Sequence, residues 1–266
     1  MARLVFFHAH PDDESISTGG TIAKAVADGH DVALVFATRG ECGEVPDGHL
    51  DDGEDLGERR TIEVLRSATT LGVAEVHFLD YRDSGMDGTA TNDDPRCFWQ
   101  ADIAEAGEKL ASILRADGCD VLTIYDDHGG YGHPDHIQVH RVGVRAAELA
   151  GVERVFEATM NRDHIRRLME AAREAGDTLG GDTGGDGPDV GEDATFGSSD
   201  EVITTTVDVR DWVGVKRASM RAHASQIQES DFFMQMPDEA FLDAFGWEFF
   251  IGRDPVTRTM TDSLFD

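Results

Sequence analysis

The feature that most constrains this chain is a regular alternation of short apolar runs with longer segments of helical pattern. Apolar runs of strand length recur at 3–7, 31–37, 76–79, 120–125 and 154–159. Segments with the spacing of amphipathic helices lie between or after them, at 15–28, 56–71, 99–116, 136–150 and 163–175. This alternation is typical of α/β proteins and predicts a mostly parallel sheet covered by helices.

The last third of the chain departs from this alternation. Residues 176–200 are dominated by Gly, Asp, Ser and Thr, which predicts a surface insertion or a lid within a single domain spanning 1–266. We further expect an edge strand at 202–209, an amphipathic helix at 212–224 and an aromatic-rich terminal element at 241–251.

The charge of the chain is strongly negative. There are 53 acidic and 23 basic residues, for a formal net charge of −30. Such a field repels nucleic acid phosphates and anionic membrane surfaces, so neither is expected as a partner. Because about 1 M salt shortens the Debye length to about 3 Å, the composition favours a halophilic source with a salt-dependent fold. An acidic protein from a mesophile is the alternative.

Cysteine usage and hydropathy suggest a soluble, cytoplasmic protein. The three cysteines, Cys42, Cys97 and Cys119, form no CxxC pair, so a disulfide framework is not indicated. The first residues enter strand-like sequence without the pattern of a signal peptide, and no apolar run approaches the roughly 20 residues of a membrane span.

A first cluster of metal-binding residue types follows the first apolar run. Residues 8–14 read His-Ala-His-Pro-Asp-Asp-Glu. The neighbouring side chains of Asp12 and Asp13 point in different directions, so we assign Asp13 and His10 as metal ligands and Asp12 as a general base. Helix N-capping is the alternative for the two aspartates. Glu14 is interpreted as a first-turn acid or as a hydrogen-bond partner behind the ligands.

A second cluster, Tyr-Gly-His-Pro-Asp-His at 131–136, follows the apolar run at 120–125. We expect His136 to be the third ligand and His133 to exchange a proton in the same pocket, with its tautomer fixed by Asp135. Tyr131 is expected to donate a hydrogen bond to a developing oxyanion. A surface or capping role is the alternative for each histidine taken singly.

Together, two histidines and one aspartate form a ligand set typical of catalytic zinc, with Fe²⁺, Co²⁺ and Mn²⁺ left open. Parallel strands that end side by side would bring both clusters to one edge of a sheet, where open α/β folds bind ligands. A metal-assisted hydrolase is therefore the leading hypothesis, and it requires His10 and His136 to lie close enough to share one cation.

Accessory polar residues follow other runs. The stretch 38–43 includes Glu41 and comes after the second strand, at the same predicted edge. Arg59, Arg60, Asp83 and Ser84 could bind the hydroxyls of a polar substrate. Ion pairing on a helix face is the expected fate of one of the two arginines, and a turn position is the alternative for Asp83.

These motifs resemble the PIG-L/LmbE superfamily of zinc-dependent N-deacetylases. The resemblance is carried by His-Pro-Asp-Asp-Glu at 10–14 and His-Pro-Asp-His at 133–136. Thr-Arg-Gly-Glu-Cys-Gly at 38–43, Tyr-Arg-Asp-Ser-Gly-Met at 81–86 and His-Ala-Ser-Gln at 223–226 fit as well. It implies a Rossmann-like fold with helices on both faces of the sheet, and zinc held by His10, Asp13 and His136.

The resemblance also implies Asp12 as base, His133 as the acid for the leaving amine, and sugar contacts from Arg60, Asp83 and the segment of Glu41. The implied activity is removal of an acetyl group from an N-acetylglucosaminyl conjugate, a small-molecule partner. A non-catalytic sugar- or metal-binding protein and a metal-dependent phosphoesterase are the alternatives. A homo-oligomer is left open.

Overall fold

The fold is built on one sheet of seven strands. The computed structural model describes residues 1–116, 118–174, 196–253 and 264. The strands are β1 (Arg3–His8), β2 (Asp31–Phe36), β3 (Glu75–Phe78), β4 (Val121–Tyr125), β5 (Arg154–Thr159), β6 (Thr205–Asp208) and β7 (Trp247–Gly252). Their order across the sheet is β3-β2-β1-β4-β5-β7-β6. Strands β1 to β5 are parallel, and β7 runs antiparallel to both β5 and β6.

The helices, in chain order, connect these strands or follow them. They are α1 (Asp13–Ser17), α2 (Gly19–Ala27), α3 (Leu56–Leu71), α4 (Ile103–Ala116), α5 (Gly129–Gly132), α6 (Pro134–Ala150), α7 (Arg162–Glu174), α8 (Val213–Met220), α9 (Phe232–Gln235) and α10 (Asp238–Phe245). Helix α3 is capped at its start by Asp55, whose side chain accepts the backbone N–H of Glu58, and at its end by Gly72 with φ 81°.

Burial explains why the central strands are apolar along their whole length. All of Leu4, Val5, Phe6 and Phe7 in β1 are at most 1% exposed, as expected for a strand covered on both faces. Helices α4 and α6 pack together, whereas α8 packs against α2 and α3. The chain winds from β1 to β3 in one direction and from β4 to β5 in the other. Right-handed crossovers therefore place the two helix groups on opposite faces.

The predicted Rossmann-like fold is thus confirmed, with its topological switch between β1 and β4. The carboxyl ends of these two adjacent strands lead directly into the two motif loops. Ligand sites of open α/β sheets lie at this position. Among the described residues, no helix combines the length and the apolar character needed to cross a membrane.

The helix predicted at 15–28 is wrong in one respect, because it is two helices separated at Thr18. The backbone of Thr18 has φ −136°, and its hydroxyl hydrogen-bonds to His8 at 3.1 Å. The break exposes the first N–H groups of α2 to Glu248, whose carboxylate accepts from Gly20 and Thr21 at 2.8 Å each. A distant carboxylate thus caps a helix start that the local pattern does not reveal.

Other boundaries also shifted. The segment 241–251 is not one element, since Gly246 separates α10 from β7. The edge strand predicted at 202–209 is confirmed only over Thr205–Asp208. Helix α4 starts later than the predicted 99, α6 starts earlier than 136, and α8 ends before 224. Most of the predicted insertion, 176–195, lies outside the described residues, so the single domain over 1–266 stays a prediction.

Candidate metal centre

Three imidazoles meet at the switch point. His10 leaves β1, while His133 and His136 lie at the start of α6, and all three side chains are buried. Each offers a ring nitrogen, and these nitrogens lie within 4.8 Å of one another. The requirement that His10 and His136 come close enough to share a cation is therefore met.

The carboxylate of Asp13 lies between two of these rings. One oxygen is 3.5 Å from Nδ1 of His10, and the other is 3.4 Å from Nε2 of His136. Ligands about 2.0–2.1 Å from a tetrahedral ion lie about 3.3–3.4 Å apart, and each Asp13 oxygen lies at about this distance from one of the two imidazoles. Burial raises the pKa of Asp13, but the neighbouring imidazoles outweigh burial and hold it well below its usual range.

The state of His136 supports the same interpretation. Its Nε2 atom is buried and has no hydrogen-bond partner among the described residues. Such an orphaned nitrogen is costly unless something else occupies its lone pair. The residues therefore fit a divalent cation held by His10, Asp13 and His136.

The far side of His10 faces two acids. Its Nε2 lies 3.2 Å from Asp135 and 3.5 Å from Asp83. Burial lowers the pKa of His10, but Asp83, Asp13 and Asp135 outweigh burial and hold this pKa well above its usual value. A cation bound at Nδ1 would displace the proton there and leave the Nε2 proton to Asp135 and Asp83. Carboxylates behind a histidine ligand commonly fix its ring in this way.

The expectation that the Asp135 side chain holds His133 is wrong. The Asp135 carboxylate accepts hydrogen bonds from the backbone N–H of Ser84, at 2.9 Å, and from its hydroxyl, in addition to facing His10. Only the backbone N–H of Asp135 reaches His133, donating to Nδ1 at 3.1 Å. This bond assigns the proton of neutral His133 to Nε2. Burial, assisted by the charges of His10 and His136, lowers the pKa of His133 to about 3.

Asp12 occupies a strained turn beside the ligands. Its φ of 112° is rare for a residue other than glycine, and such strain costs about 1–3 kcal/mol. Its carboxylate lies 3.2 Å from the guanidinium of Arg60. Burial raises the pKa of Asp12 to about 6, against the lowering effect of Arg60. Asp12 is thus a carboxylate poised to take a proton near neutral pH.

Arg60 is positioned differently from the sugar contact that was expected. It is 3% exposed, and its guanidinium donates to the backbone carbonyls of Pro11 and Gly40 as well as facing Asp12. A side chain at Gly40 would come within 2.1 Å of that guanidinium, which explains the glycine. Arg59, the neighbour of Arg60, pairs with Glu54, just before α3, and takes no part in the site.

The two expected acidic sugar contacts also have protein partners. Asp83 is 4% exposed and accepts the backbone N–H groups of Gly85, at 2.8 Å, and Cys42, at 3.1 Å. Glu41 is partly exposed and accepts the backbone N–H of Asp83 at 3.1 Å. Asp83 therefore acts from behind His10, and Glu41 keeps more access to the cleft.

Tyr131 lies at the opening of the site. Its ring is 45% exposed and packs edge-on against His136, with centroids 5.0 Å apart. The loop that carries it has positive φ angles at Gly129, Gly130 and Gly132. A Cβ atom at Gly129 would lie 2.7 Å from that of His136, so only glycine fits there.

Three residues near the site were given little weight by the sequence reasoning. Glu14 is fully buried beneath the Asp12 turn, Ser84 orients Asp135, and His223 approaches from the C-terminal part of the chain. Their signals were present, in the last residue of the first motif and in the stretches 81–86 and 223–226. His8 has a structural position, since its two ring nitrogens lie within hydrogen-bond distance of Tyr125 and Thr18.

The geometry is that of a metal-dependent hydrolase. The carboxylate of Asp12 is not one of the candidate ligands, and it lies beside them, where it can accept a proton from water. Residues 5–147 match the family described as PIG-L: GlcNAc-PI de-N-acetylase. With more than half of the chain covered, and with the relatives described next, the chain belongs to the PIG-L family.

Relatives of known name agree with this assignment. The chain is 42% identical over 270 residues to 1D-myo-inositol 2-acetamido-2-deoxy-alpha-D-glucopyranoside deacetylase 1 of Catenulispora acidiphila, covering 93% of this chain and 82% of that protein. It is 43% identical over 262 residues to the deacetylase of the same substrate from Acidothermus cellulolyticus, covering 94% and 88%. Among solved structures, N,N'-diacetylchitobiose deacetylase from Pyrococcus horikoshii shares the fold, with TM-score 0.59, 22% identity, and coverage of 94% and 83%.

Proposed function

We propose that this chain hydrolyses the acetamide of an N-acetylglucosaminyl conjugate in a metal-dependent reaction. The observation that carries the proposal is the carboxylate of Asp13, 3.5 Å from His10 and 3.4 Å from His136, with the acid Asp12 adjacent in sequence. The names of the relatives support the substrate class, since both are deacetylases of an inositol-linked 2-acetamido-2-deoxyglucopyranoside.

His10, Asp13 and His136 are the proposed ligands. A divalent cation bound there supplies Lewis acidity that polarises the acyl oxygen and acidifies water. Nitrogen and oxygen donors of this kind suit Zn²⁺, and Fe²⁺, Co²⁺ and Mn²⁺ also fit them. His133 is close enough to compete, but the N–H of Asp135 occupies the lone pair on its Nδ1 and leaves Nε2 protonated. That arrangement supports a donor role for His133.

Asp12 is the proposed general base. It accepts the proton of the attacking water as the new C–O bond forms, and its raised pKa of about 6 lets it hold that proton for transfer. Asp12 then delivers this proton to the amine nitrogen as the C–N bond breaks. His133, which was expected to be the acid, is kept neutral by its lowered pKa of about 3 and instead donates a hydrogen bond from Nε2 to the substrate. The hydroxyl of Tyr131, whose pKa is raised by burial, stays protonated and can donate a hydrogen bond to the oxyanion.

The sugar contacts are revised by the burial of the expected residues. Arg60 holds the base, and Asp83 supports His10, so neither is free to bind a hydroxyl directly. Glu41, which is partly exposed, remains the proposed sugar contact of that set.

The test is release of acetate from N-acetylglucosaminyl-inositol and from N,N'-diacetylchitobiose, with and without a chelator. We expect release that stops on chelation and returns with added Zn²⁺. Because the halophilic hypothesis stays a prediction, the assay is run at about 0.1 M and about 1 M salt.

Two outcomes contradict the proposal. Tight binding of the sugar without acetate release would indicate a binding protein of the same fold. Release of phosphate from a phosphoester, with about two metal ions per chain, would indicate a phosphoesterase.

A further inference from the structure

Glu14 is the most heavily bonded carboxylate beside the site, although it ligates nothing. Its side chain is fully buried. One oxygen accepts from the hydroxyls of Ser15 and Ser67 and lies 2.7 Å from Nε2 of His223. The other accepts the backbone N–H of Asp12 at 2.9 Å. Glu14 therefore connects the proposed base to two other parts of the structure, α3 through Ser67 and the segment after α8 through His223.

The bond to the N–H of Asp12 matters because that residue has φ 112°. Strained backbone of this kind persists only when its surroundings hold it. Arg60 holds the Asp12 carboxylate from the other side, at 3.2 Å. The backbone and the side chain of Asp12 are therefore fixed by two different partners.

His223 brings the C-terminal part of the chain into this arrangement. It is fully buried and follows α8, on a segment whose Ser225 donates to Glu63 of α3 through both its backbone N–H and its hydroxyl. Helix α8 itself packs against α1, α2 and α3. The position of His223 is thus fixed independently of its contact with Glu14.

We propose that Glu14 and His223 form a positioning pair that holds the Asp12 turn in its reactive conformation. His223 fixes the Glu14 carboxylate, and Glu14 in turn holds the N–H of Asp12, so that the Asp12 carboxylate is aimed at the attacking water. Among the hydrogen bonds of the described residues, none joins the side chains of this pair to His10, Asp13 or His136, and the effect of the pair passes through Asp12. This inference rests on the proposed function for its kinetic consequences.

The chain contains a matched control for this pair. Lys216 of α8 and Glu248 of β7 are also 2.7 Å apart, and both are buried. Glu248 accepts the N–H groups of Gly20 and Thr21 at the start of α2, away from the Asp12 turn. Substitutions in the two pairs therefore remove similar buried interactions, but only one pair reaches the base.

The experiment compares Glu14→Gln with Glu248→Gln, and His223→Leu with His223→Gln. Measured quantities are kcat, KM, zinc per chain and the urea midpoint of unfolding. We expect Glu14→Gln and His223→Leu to lower kcat by about 10- to 100-fold, with KM and zinc content nearly unchanged. His223→Gln, which restores an N–H donor to Glu14, should recover most of that loss. Glu248→Gln should lower the unfolding midpoint and leave kcat unchanged.

Several results would overturn the inference. They are an unchanged kcat in Glu14→Gln, a kcat loss in Glu248→Gln that matches it, and no recovery in His223→Gln. If the variants do not fold, hydrogen exchange of the wild-type Asp12 amide decides, because rapid exchange at a folded site excludes the bond to Glu14. Wild-type protein that releases no acetate overturns the proposed function, whereas the amide measurement still tests the positioning pair.

Discussion

The two loops that build the site are held by different means. The loop after β1 places Asp12 at φ 112° and fixes it with side chains, from Arg60 on one side and Glu14 on the other. The loop after β4 reaches its positive φ angles with glycines and is held mainly through bonds of its own backbone N–H groups. Gly129 donates to the carbonyl of Asp126 at 3.1 Å, Gly132 donates to the carbonyl of His128 at 3.1 Å, and Gly130 donates to the Asp126 carboxylate at 2.6 Å.

We attribute this difference to the roles of the two loops, since the first carries the proposed base and the second carries the proposed oxyanion donor. A base must be aimed closely, and its turn carries strain that many contacts hold in place. A half-exposed phenol on a glycine loop needs less support, because it has only to reach an oxygen that the substrate brings. We therefore expect changes in the first loop to abolish the reaction and changes in the second to weaken it, except where the second loop supplies a ligand.

The largest effect is expected for His136→Ala. This is the exception to the comparison of the two loops, because His136 follows the second loop and is a proposed metal ligand. Removing the orphaned Nε2 takes away one of three ligands, so metal affinity should fall by more than about 100-fold and turnover should become undetectable. Zinc per chain after dialysis measures this. The control is His140→Ala, one turn further along α6, where Nδ1 contacts the carbonyl of Tyr125. Zinc retained by His136→Ala would exclude it as a ligand.

The next effect is expected for Asp12→Asn. Asparagine tolerates positive φ, so this change removes the base while sparing the turn, and kcat should fall by about 10³-fold with zinc still bound. In the wild type, burial raises the pKa of Asp12 to about 6, and a base works only when deprotonated. Activity should therefore decline as the pH falls below about 6. Asp12→Ala is the second variant, and full activity in it would refute the assignment of the base.

Much of this could be predicted from the sequence. Strand and helix alternation gave the fold because each strand carries its own apolar run, and motif order placed His10, Asp13 and His136 at one edge. What local pattern could not give was the partner of each buried acid. Asp135 faces Ser84, 51 positions away, and Glu14 faces His223, 209 positions away. Such pairings depend on how helices pack and leave no trace in the neighbouring residues.

Tyr131→Phe tests the second loop directly. Loss of one hydrogen-bond donor to an oxyanion lowers kcat by about 10²- to 10³-fold. Because Tyr131 is 45% exposed, water can replace part of its hydrogen bond, and we expect a loss of about 10²-fold. The change keeps the ring on His136, so zinc content and KM should stay close to the wild-type values. Stopped-flow or steady-state acetate release measures kcat. A loss as large as that of Asp12→Asn would show that the two loops do not differ as argued.

The smallest effect on turnover is expected at Glu157, on β5 beneath the second loop. Its carboxylate is 8% exposed and lies 3.5 Å from both Nδ1 of His140 and Nε of Arg253. Burial raises its pKa to about 7, with Arg253 opposing the rise. A carboxyl whose pKa is raised in the folded state favours folding fully below its unfolded pKa, and this contribution is lost as the pH rises through about 7.

Glu157→Gln should therefore remove a decline in stability between about pH 4.5 and pH 7. Relative to the variant, the wild type should lose about 1–3 kcal/mol of unfolding free energy over that range, as urea unfolding at several pH values would show. Turnover at pH 7 should stay within about twofold of the wild type, since Glu157 supports the second loop only through the strand beneath it. Parallel pH profiles of stability for the two proteins would mean that Glu157 is ionised throughout, with Arg253 outweighing burial. The second loop would then be supported by an ion pair, as the first loop is by Arg60 and Asp12. The two loops would differ only in the use of glycines at positive φ angles in the second.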